Sequence, residues 1–187
     1  MTFRDLKADE IDVRLQSVKQ NGLVLLLYKD ARCDMNILDE TVGAENWQRE
    51  HYECKGNLFC KVGINVNYYV PESSGKWVWK SDCGTESNTE AQKGEASDSF
   101  KRACFNWGIG RELYTSPFIF IKKEDCNINN GKCYDKFYVE KIAIENKKIV
   151  GLAIRNNDTG KRVFVWQKPK QQSASVSYTH LRAHETS

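Results

Sequence analysis

Two adjacent cations, Lys101 and Arg102, are the residues of this chain best placed to bind an anion. They lie late in a predicted helix over residues 89–111, whose apolar residues recur every three or four positions and define one buried face. Because neighbouring helical positions differ by about 100° around the axis, Lys101 flanks the apolar stripe and Arg102 points away from it. Such a pair can bind phosphates, or it can simply offset the helix dipole and stay in water. The apolar positions are Ala96, Phe100, Ala103, Cys104 and Trp107.

The sequence before this helix predicts three antiparallel strands, Trp47–Cys54, Leu58–Val70 and Trp77–Cys83. The segments between them, 55–57 and 71–76, contain the Gly, Pro, Asn and Ser residues typical of tight turns. The middle strand alternates, so one face of the sheet is buried. We therefore predict an α+β fold in which a three-stranded antiparallel β-meander is packed by the long helix, giving a β-β-β-α core.

The N-terminal part predicts two helices on either side of a strand. Apolar residues at helical spacing indicate a helix over Asp9–Asn21 that ends at Gly22. The apolar run Leu23–Tyr28 predicts a buried strand, and Asp34–Val42 predicts a second, shorter helix. The helical spacing of the first segment rests on Ile11, Leu15 and Val18.

Residues 117–174 predict a C-terminal β-hairpin extension. Ser116-Pro117 marks a boundary, so we assign residues 1–116 to the core and residues 117–174 to a basic β extension of the same domain. Residues 175–187 resemble the translation of a sequencing adapter and are excluded from the fold prediction. The predicted strands of the extension are Phe118–Ile121, Tyr134–Glu145, Lys148–Arg155 and Arg162–Trp166.

Composition bounds the class of protein. The 187 residues suffice for one domain with a core. Residues 1–116 carry 15 basic and 18 acidic side chains, whereas residues 117–174 carry 12 and 6. The overall charge of +3 is too mild to require a polyanionic partner, so any nucleic-acid site must be a local groove.

Hydropathy and cysteine usage predict a cytoplasmic protein. No run of about 18 apolar residues is present, and the charged N-terminus lacks the apolar region of a secretory signal. Seven cysteines, an odd number, argue against a disulfide framework in such a chain. Their spacing fits no zinc pattern, so we expect no metal, and most of them are interpreted as small apolar core residues.

Catalytic groups are scarce. Outside the last 13 residues, the single histidine is His51, in the first predicted strand, where a cross-strand or surface role is typical. No phosphate-binding P-loop, zinc-deaminase signature or nucleophile elbow is present. Asp82, Glu86 and Glu90 could form a two-metal nuclease cluster, although acids near a helix start also serve as caps. We predict no catalytic residues and no cofactor.

The segment 89–111 and the strands before it resemble the Rad-fifty-two family of single-strand annealing proteins, particularly its short phage and bacterial members. In that family a helix with a K-A/E-A-x-x-D-x-x-K-R-A pattern follows a three-stranded sheet and lines a groove for single-stranded DNA. The resemblance spans Leu6 to Tyr114. The matching helix residues are Ala91, Lys93, Asp98, Lys101, Arg102 and Ala103.

The resemblance implies a set of DNA-binding residues led by Lys101 and Arg102. Lys93 matches a family lysine, and a charge on the helix surface explains it equally well. Tyr28 matches a family aromatic, although its position favours a core residue. Phe105 stands where the family often has a third basic residue. Trp77 and Trp79, on one face by the period of two, are interpreted as packing residues. Three lysines lie near family basic positions without matching them: Lys19, Lys55 and Lys80.

The function that follows is ATP-independent binding of single-stranded DNA and annealing of complementary strands in homologous recombination and repair. The resemblance further implies a homo-oligomeric ring, a phage or prophage origin, and a host or phage single-strand-binding protein as partner. Two alternatives stay open, a single-strand-binding module that does not anneal and a metal-dependent nuclease. A structural oligomer without a DNA role is a third.

Overall fold

The computed structural model describes residues 1–67, 75–85 and 91–169. It has an α+β fold with two α-helices and mostly antiparallel strands. The helices are α1 (Ala31–Val42) and α2 (Ala91–Trp107). The strands are β1 (Asp12–Lys19), β2 (Gly22–Tyr28), β3 (Trp47–Cys54), β4 (Asn57–Asn65), β5 (Trp77–Cys83), β6 (Ile119–Lys122), β7 (Ile128–Asn129), β8 (Lys132–Cys133), β9 (Phe137–Glu145), β10 (Lys148–Asn156) and β11 (Arg162–Gln167). Short 3-10 helices occupy Ala8–Glu10, Ala44–Asn46, Arg111–Thr115 and Lys123–Asp125.

The helix predicted over Asp9–Asn21 is wrong, because this segment forms β1 and pairs with β2 in an antiparallel hairpin. The pairing shifts between Leu15 and Ser17, so Gln16 is an extra residue in β1. This bulge puts Leu15 opposite Leu25 and Val18 opposite Leu23, on one face. In this segment the three-residue spacing between Leu15 and Val18, which resembles that of a helix, is therefore caused by a bulge in a strand.

The second predicted helix is present as α1 and begins earlier than Asp34. Asp30 is its N-cap, and its carboxylate accepts a hydrogen bond from the backbone N–H of Arg32 at 2.9 Å. Such a cap satisfies one of the free amides of the first turn. Gly43, at φ 87°, ends the helix.

One antiparallel sheet of six strands has the order β11-β10-β9-β1-β2-β6. The N-terminal hairpin lies in the middle of this sheet, with β6 beside β2 and β9 beside β1. The three strands predicted between Tyr134 and Trp166 lie at β9, β10 and β11. Lys147, in the turn between β9 and β10, connects these strands to the N-terminus, since its ammonium donates to the Phe3 and Arg4 carbonyls at 2.8 and 2.9 Å.

A second sheet, β3-β4-β5, lies against α2. The inward residues of its central strand, β4, are fully buried, as are Phe100, Ala103 and Cys104 on the facing stripe of α2. The indole N–H of Trp107 donates to the Val62 carbonyl at 3.0 Å and fixes the end of the helix on the sheet. Residues 68–70 of the predicted middle strand and residues 89 and 90 of the predicted helix lie outside the described residues. The inward residues of β4 are Cys60, Val62 and Ile64.

Buried side chains from both sheets and both helices form one continuous hydrophobic core. Within the described residues, no helix is long and apolar enough to cross a membrane.

Replacing Phe100 by Ala should destabilise the fold strongly. Its ring is fully buried and stacks on Trp47 at 6.1 Å, so its removal loses transfer free energy and leaves a cavity. We expect a loss of about 3–5 kcal/mol in the free energy of unfolding, measured by urea denaturation. Phe118→Ala is the matched control, because that ring is 74% exposed and its removal should change stability little. Equal losses in the two variants would contradict the assignment of Phe100 to the core.

Candidate nucleic-acid interface

Two cations meet on the ring of Tyr28, the last residue of β2. The Arg14 guanidinium carbon lies 3.4 Å from the ring centroid, and the Lys101 ammonium lies over the same ring at 5.8 Å. Arg14 comes from β1 and Lys101 from α2, so the cluster joins the six-stranded sheet to the helix. Cations over an aromatic face are attracted by its quadrupole, which holds both charges at one place on the surface.

The register of the hairpin explains how Arg14 reaches Tyr28. Asp12 is paired with Tyr28 and Arg14 with Leu26, so Arg14 and Tyr28 are diagonal neighbours across the two strands. Long side chains reach diagonal partners on an antiparallel pair. The position of Arg14 therefore depends on the strand that replaces the predicted helix.

Beside this cluster lies an open cavity of about 220 Å³ between the end of β2, α2 and the segment after it. Its walls are aromatic, basic and apolar, and Tyr114 is 69% exposed at its margin. A groove with these walls offers cations for phosphates and a ring for a base. Its lining residues are Leu27, Tyr28, Lys29, Asp98, Lys101, Phe105, Leu113 and Tyr114.

A buried ion pair lies beneath the cavity. Lys29, 1% exposed, binds Asp34 of α1, which is fully buried. Only one carboxylate oxygen of Asp34 is hydrogen-bonded, since Oδ2 has no partner among the described residues. Burial outweighs the attraction of Lys29 and raises the pKa of Asp34 to about 6.

Phe105, where the family often has a basic residue, still has a positive charge beside it. The Lys29 ammonium lies 4.5 Å over the Phe105 ring, and Tyr114 packs edge-on against the same ring at 4.9 Å. The cation beside Phe105 is therefore Lys29, which follows β2 directly, and the Phe105 ring covers its ammonium on one side. Phe105 therefore adds an aromatic wall to the groove, and its ring lies beside the Lys29 ammonium that is paired with Asp34.

Lys101 is half-buried, and it forms no ion pair within the described part of the chain. Desolvation lowers its pKa, as do the nearby charges of Lys29 and Arg14, while Asp98 opposes the shift. An ammonium held in this way is poorly compensated. A phosphate placed next to it would supply the missing negative charge.

One known protein family matches most of this chain. The sequence model of the Rad52/22 family of double-strand break repair proteins matches residues 4–132, which is well over half of the chain. The protein belongs to the Rad52/22 family. No curated protein and no solved structure matches the chain. Rad52-type proteins act in double-strand break repair and annealing, are generally non-enzymatic, bind DNA and form oligomers.

The matched region of this Rad52/22-family chain contains every residue of the groove and ends within β8. It leaves out β9, β10 and β11, and residues 133–174, which contain these strands, hold 9 basic and 4 acidic side chains. The groove is therefore a property of the family region, and the last three strands support it from the far side of the hairpin.

Arg102 is one helical position from Lys101 but faces β5. Its Nε lies 3.4 Å from the Asp82 carboxylate, and its side chain is 40% exposed. Lys80 lies on the same side, where its ammonium donates to the Asn106 carbonyl at 2.8 Å and rests 4.6 Å over the Trp107 ring. Arg102 and Lys80 lie on the side of α2 that faces away from Tyr28, and each of them already contacts a group of the protein.

Lys19 and Lys55 lie elsewhere. Lys19 is exposed at the far end of β1, about 20 Å from the position opposite Tyr28 by strand rise. Lys55 is exposed in the β3–β4 turn. Lys93 is in the first turn of α2, and its side chain lies outside the described residues. Of the predicted residues, the structure therefore brings together Tyr28 and Lys101.

Sequence reasoning missed Arg14, Lys29 and Tyr114. The signal for Arg14 was Asn21-Gly22, a pair typical of two-residue hairpin turns, which indicates two strands rather than a helix before a strand. No sequence pattern indicated that Lys29 is a site residue, because a lysine next to the aspartates at the start of a helix is expected to be exposed to solvent.

The carboxylates considered for a nuclease are not assembled in the described residues. Asp82 is engaged by Arg102 and by Asn106, whose amide lies 3.5 Å away. Glu86 and Glu90 lie outside the described residues, and no group of three or more potential metal ligands is found within them. The ring of His51 contacts the Ala96 carbonyl at 3.1 Å, which is a cross-element contact.

The raised pKa of Asp34 predicts a stability that depends on pH. The folded state holds this proton more tightly than the unfolded chain, whose ordinary value is 3.8. The stabilisation is therefore complete below about pH 4 and is lost as pH rises to about 6, by on the order of 3 kcal/mol. The measurement is urea unfolding from pH 4 to 7.5. Asp34→Asn should lack this component, so parallel profiles for the two proteins would contradict the assignment.

Proposed function

We propose that the protein binds single-stranded DNA and anneals complementary strands without ATP, in homologous recombination and DNA repair. Membership of the Rad52/22 family supports this class of activity. The observation that carries the proposal is the convergence of Arg14 and Lys101 on Tyr28 at the margin of an aromatic groove. It provides a concentrated site for phosphates on a chain of modest overall charge.

The packing of α2 on the three strands that precede it supports the proposed position of the phosphate site. The apolar stripe of α2 is fixed against β4 through Phe100 and Trp107. Lys101 then extends from the edge of the stripe toward β2, and Arg102 toward β5. We propose that Lys101 and Arg14 bind phosphates first, and that Arg102 joins them if a phosphate displaces Asp82.

Annealing by this site requires no catalytic group. Cations neutralise phosphates of a bound strand, which lowers its repulsion from a second strand. Tyr28 is occupied by the Arg14 guanidinium, so that ring face does not stack on a base, and the bases are left free to pair. Pairing itself supplies the free energy, since DNA stacking contributes about 1.4 kcal/mol per step.

The wider arrangement that we propose is a homo-oligomeric ring whose subunits pass the strand from one groove to the next. The proposed setting is the cytoplasm of a bacterium, with a phage or prophage origin and a single-strand-binding protein as partner. The core of residues 1–116 and the extension of residues 117–174 then form one domain.

An annealing assay tests the proposal. Complementary oligonucleotides, one with a fluorophore and one with a quencher, are mixed with the full chain without nucleotide or metal. We expect faster quenching than in buffer alone, with an acceleration that falls as salt rises. Tight strand binding without acceleration would identify a binding module instead. Cleavage of the strands on adding magnesium would favour a nuclease, and absence of both binding and annealing would overturn the proposal.

Loss of two phosphate contacts should change the salt dependence of binding. For Lys101→Ala with Arg102→Ala we expect weaker binding of an oligothymidine. The slope of log K against log salt should be flatter by about 1.4, since each single-strand phosphate contact contributes about 0.7. Lys141→Ala with Lys148→Ala removes the same charge from exposed positions of β9 and β10 and serves as control. An unchanged slope in a folded groove variant, checked by circular dichroism, would refute the site.

A further inference from the structure

The outer face of the three-stranded sheet, opposite α2, carries an aromatic surface that the groove does not include. Trp77 and Trp79 of β5 are 38% and 40% exposed, and Tyr52 of β3 is 37% exposed. Their neighbours on β4 are Phe59 and Lys61, which alternate with the buried residues of that strand. Trp77 and Trp79 lie on one face, as predicted, and they pack on each other while staying partly exposed. We call these five residues and Gly63 the outer sheet face.

Trp79 lies flat on the sheet because its cross-strand partner is Gly63. A Cβ built at Gly63 would be 2.7–2.8 Å from three adjacent atoms of the Trp79 indole. Near-equal distances to three ring atoms mean that the indole turns its face to Gly63. The opposite face of the indole therefore points to solvent.

The aromatic rings form two nearly parallel pairs at the two ends of the face. Trp77 and Trp79 have centroids 6.2 Å apart with planes at 29°, and Tyr52 and Phe59 are 5.4 Å apart at 22°. Lys61 lies between the pairs, with its ammonium 5.1 Å from the Trp79 ring. Rings on a sheet with cations beside them are the arrangement by which several small domains stack the bases of single strands.

The charges around the face favour a polyanion. Lys55 is exposed in the turn that joins β3 to β4, at the Tyr52 end of the face. Lys61 lies near the middle of the face. Among the outward residues of the three strands there is one acid, Glu50, at 3.1 Å from the Lys61 ammonium.

We propose that the outer sheet face is a second binding surface for single-stranded nucleic acid, with bases stacked on Trp79 and Trp77 and phosphates near Lys61 and Lys55. Lys55, which lies away from the groove, belongs to this surface. The inference rests on the proposed function only in its choice of ligand, since it does not require that the groove be the site of binding.

Photochemical cross-linking tests the contact directly. An oligothymidine containing 5-bromodeoxyuridine is bound to the full chain and irradiated, and the modified peptides are identified by mass spectrometry. We expect cross-links at Trp79 or Trp77. They should persist in the variant Lys101→Ala with Arg102→Ala, because the two surfaces are separate. Absence of any cross-link on β5 in a complex that binds the oligonucleotide would overturn the proposal.

Affinity provides the second test. Trp79→Ala should weaken binding of the oligothymidine roughly tenfold, the typical effect of losing one base-stacking ring, and Trp79→Tyr should restore most of it. Tyr134→Ala is the matched control, because Tyr134 is 80% exposed and lies on another part of the surface. Gly63→Ala, which tilts the indole without removing it, should also weaken binding.

A second copy of this chain is the competing occupant of the outer sheet face. Light scattering distinguishes this case from binding of nucleic acid. If Trp79→Ala lowers the mass of the particle while affinity for the oligonucleotide is unchanged, the face is a subunit contact and the proposal is overturned. Loss of affinity in the Trp79 variant but not in the Lys101 and Arg102 variant would support this surface and refute the groove. No binding to the unmodified chain would refute both.

Discussion

The groove depends on the buried ion pair between Lys29 and Asp34. Lys29 follows Tyr28 directly, and Asp34 lies in the first turn of α1, so the pair fixes the end of β2 to the helix. Burying two charges is costly unless they meet each other, and this requirement determines the direction of the chain beyond Tyr28. Gly110 is part of the same constraint, because a Cβ there would collide with the Lys29 side chain.

The pair also sets the electrostatics of the surface above it. Asp34 compensates Lys29 through one oxygen, and its raised pKa shows that the carboxylate is held at a cost. Lys101 and Arg14 are added to this site with little further negative charge. Desolvation, and then the charges of Lys29 and Arg14, lower the pKa of Lys101. Three cations are thus ordered by the fold before any ligand arrives. Binding of an anion then needs little rearrangement, which is how a preorganised site gains affinity.

The sequence predicted the parts of this fold that have a simple period. The buried stripe of α2, the alternation of β4 and the apolar run of β2 each report a single element with one buried side. The sequence did not predict that β1 is a strand. The bulge at Gln16 interrupts the two-residue alternation of this strand and places its apolar residues at helical spacing. That one error removed Arg14 from the candidate site, since its contact with Tyr28 exists only in the hairpin.

Other site residues were beyond sequence reasoning for a different reason. Arg14, Lys29 and Lys101 come from three separate elements, and a sheet order of β11-β10-β9-β1-β2-β6 is not encoded in any local pattern. Conversely, Lys19, Lys55 and Lys80 were selected by their nearness along the chain to family positions. In the folded protein such nearness has no meaning, because one residue along a strand reverses the face and several residues move the charge to the other end of the sheet.

The occupation of Tyr28 decides what kind of DNA complex the groove can hold. A guanidinium 3.4 Å from the ring centroid leaves no room for a base on that face, so Tyr28 orients a cation instead of stacking a nucleotide. In the proposed complex the groove would hold a strand by its phosphates, and the more exposed ring at its margin is Tyr114. A strand bound in this way would keep its pairing edges accessible to a second strand. Stacking of bases on Tyr28 would raise affinity for one strand and hinder annealing, so a ring face occupied by Arg14 fits the proposed annealing better than storage of a strand.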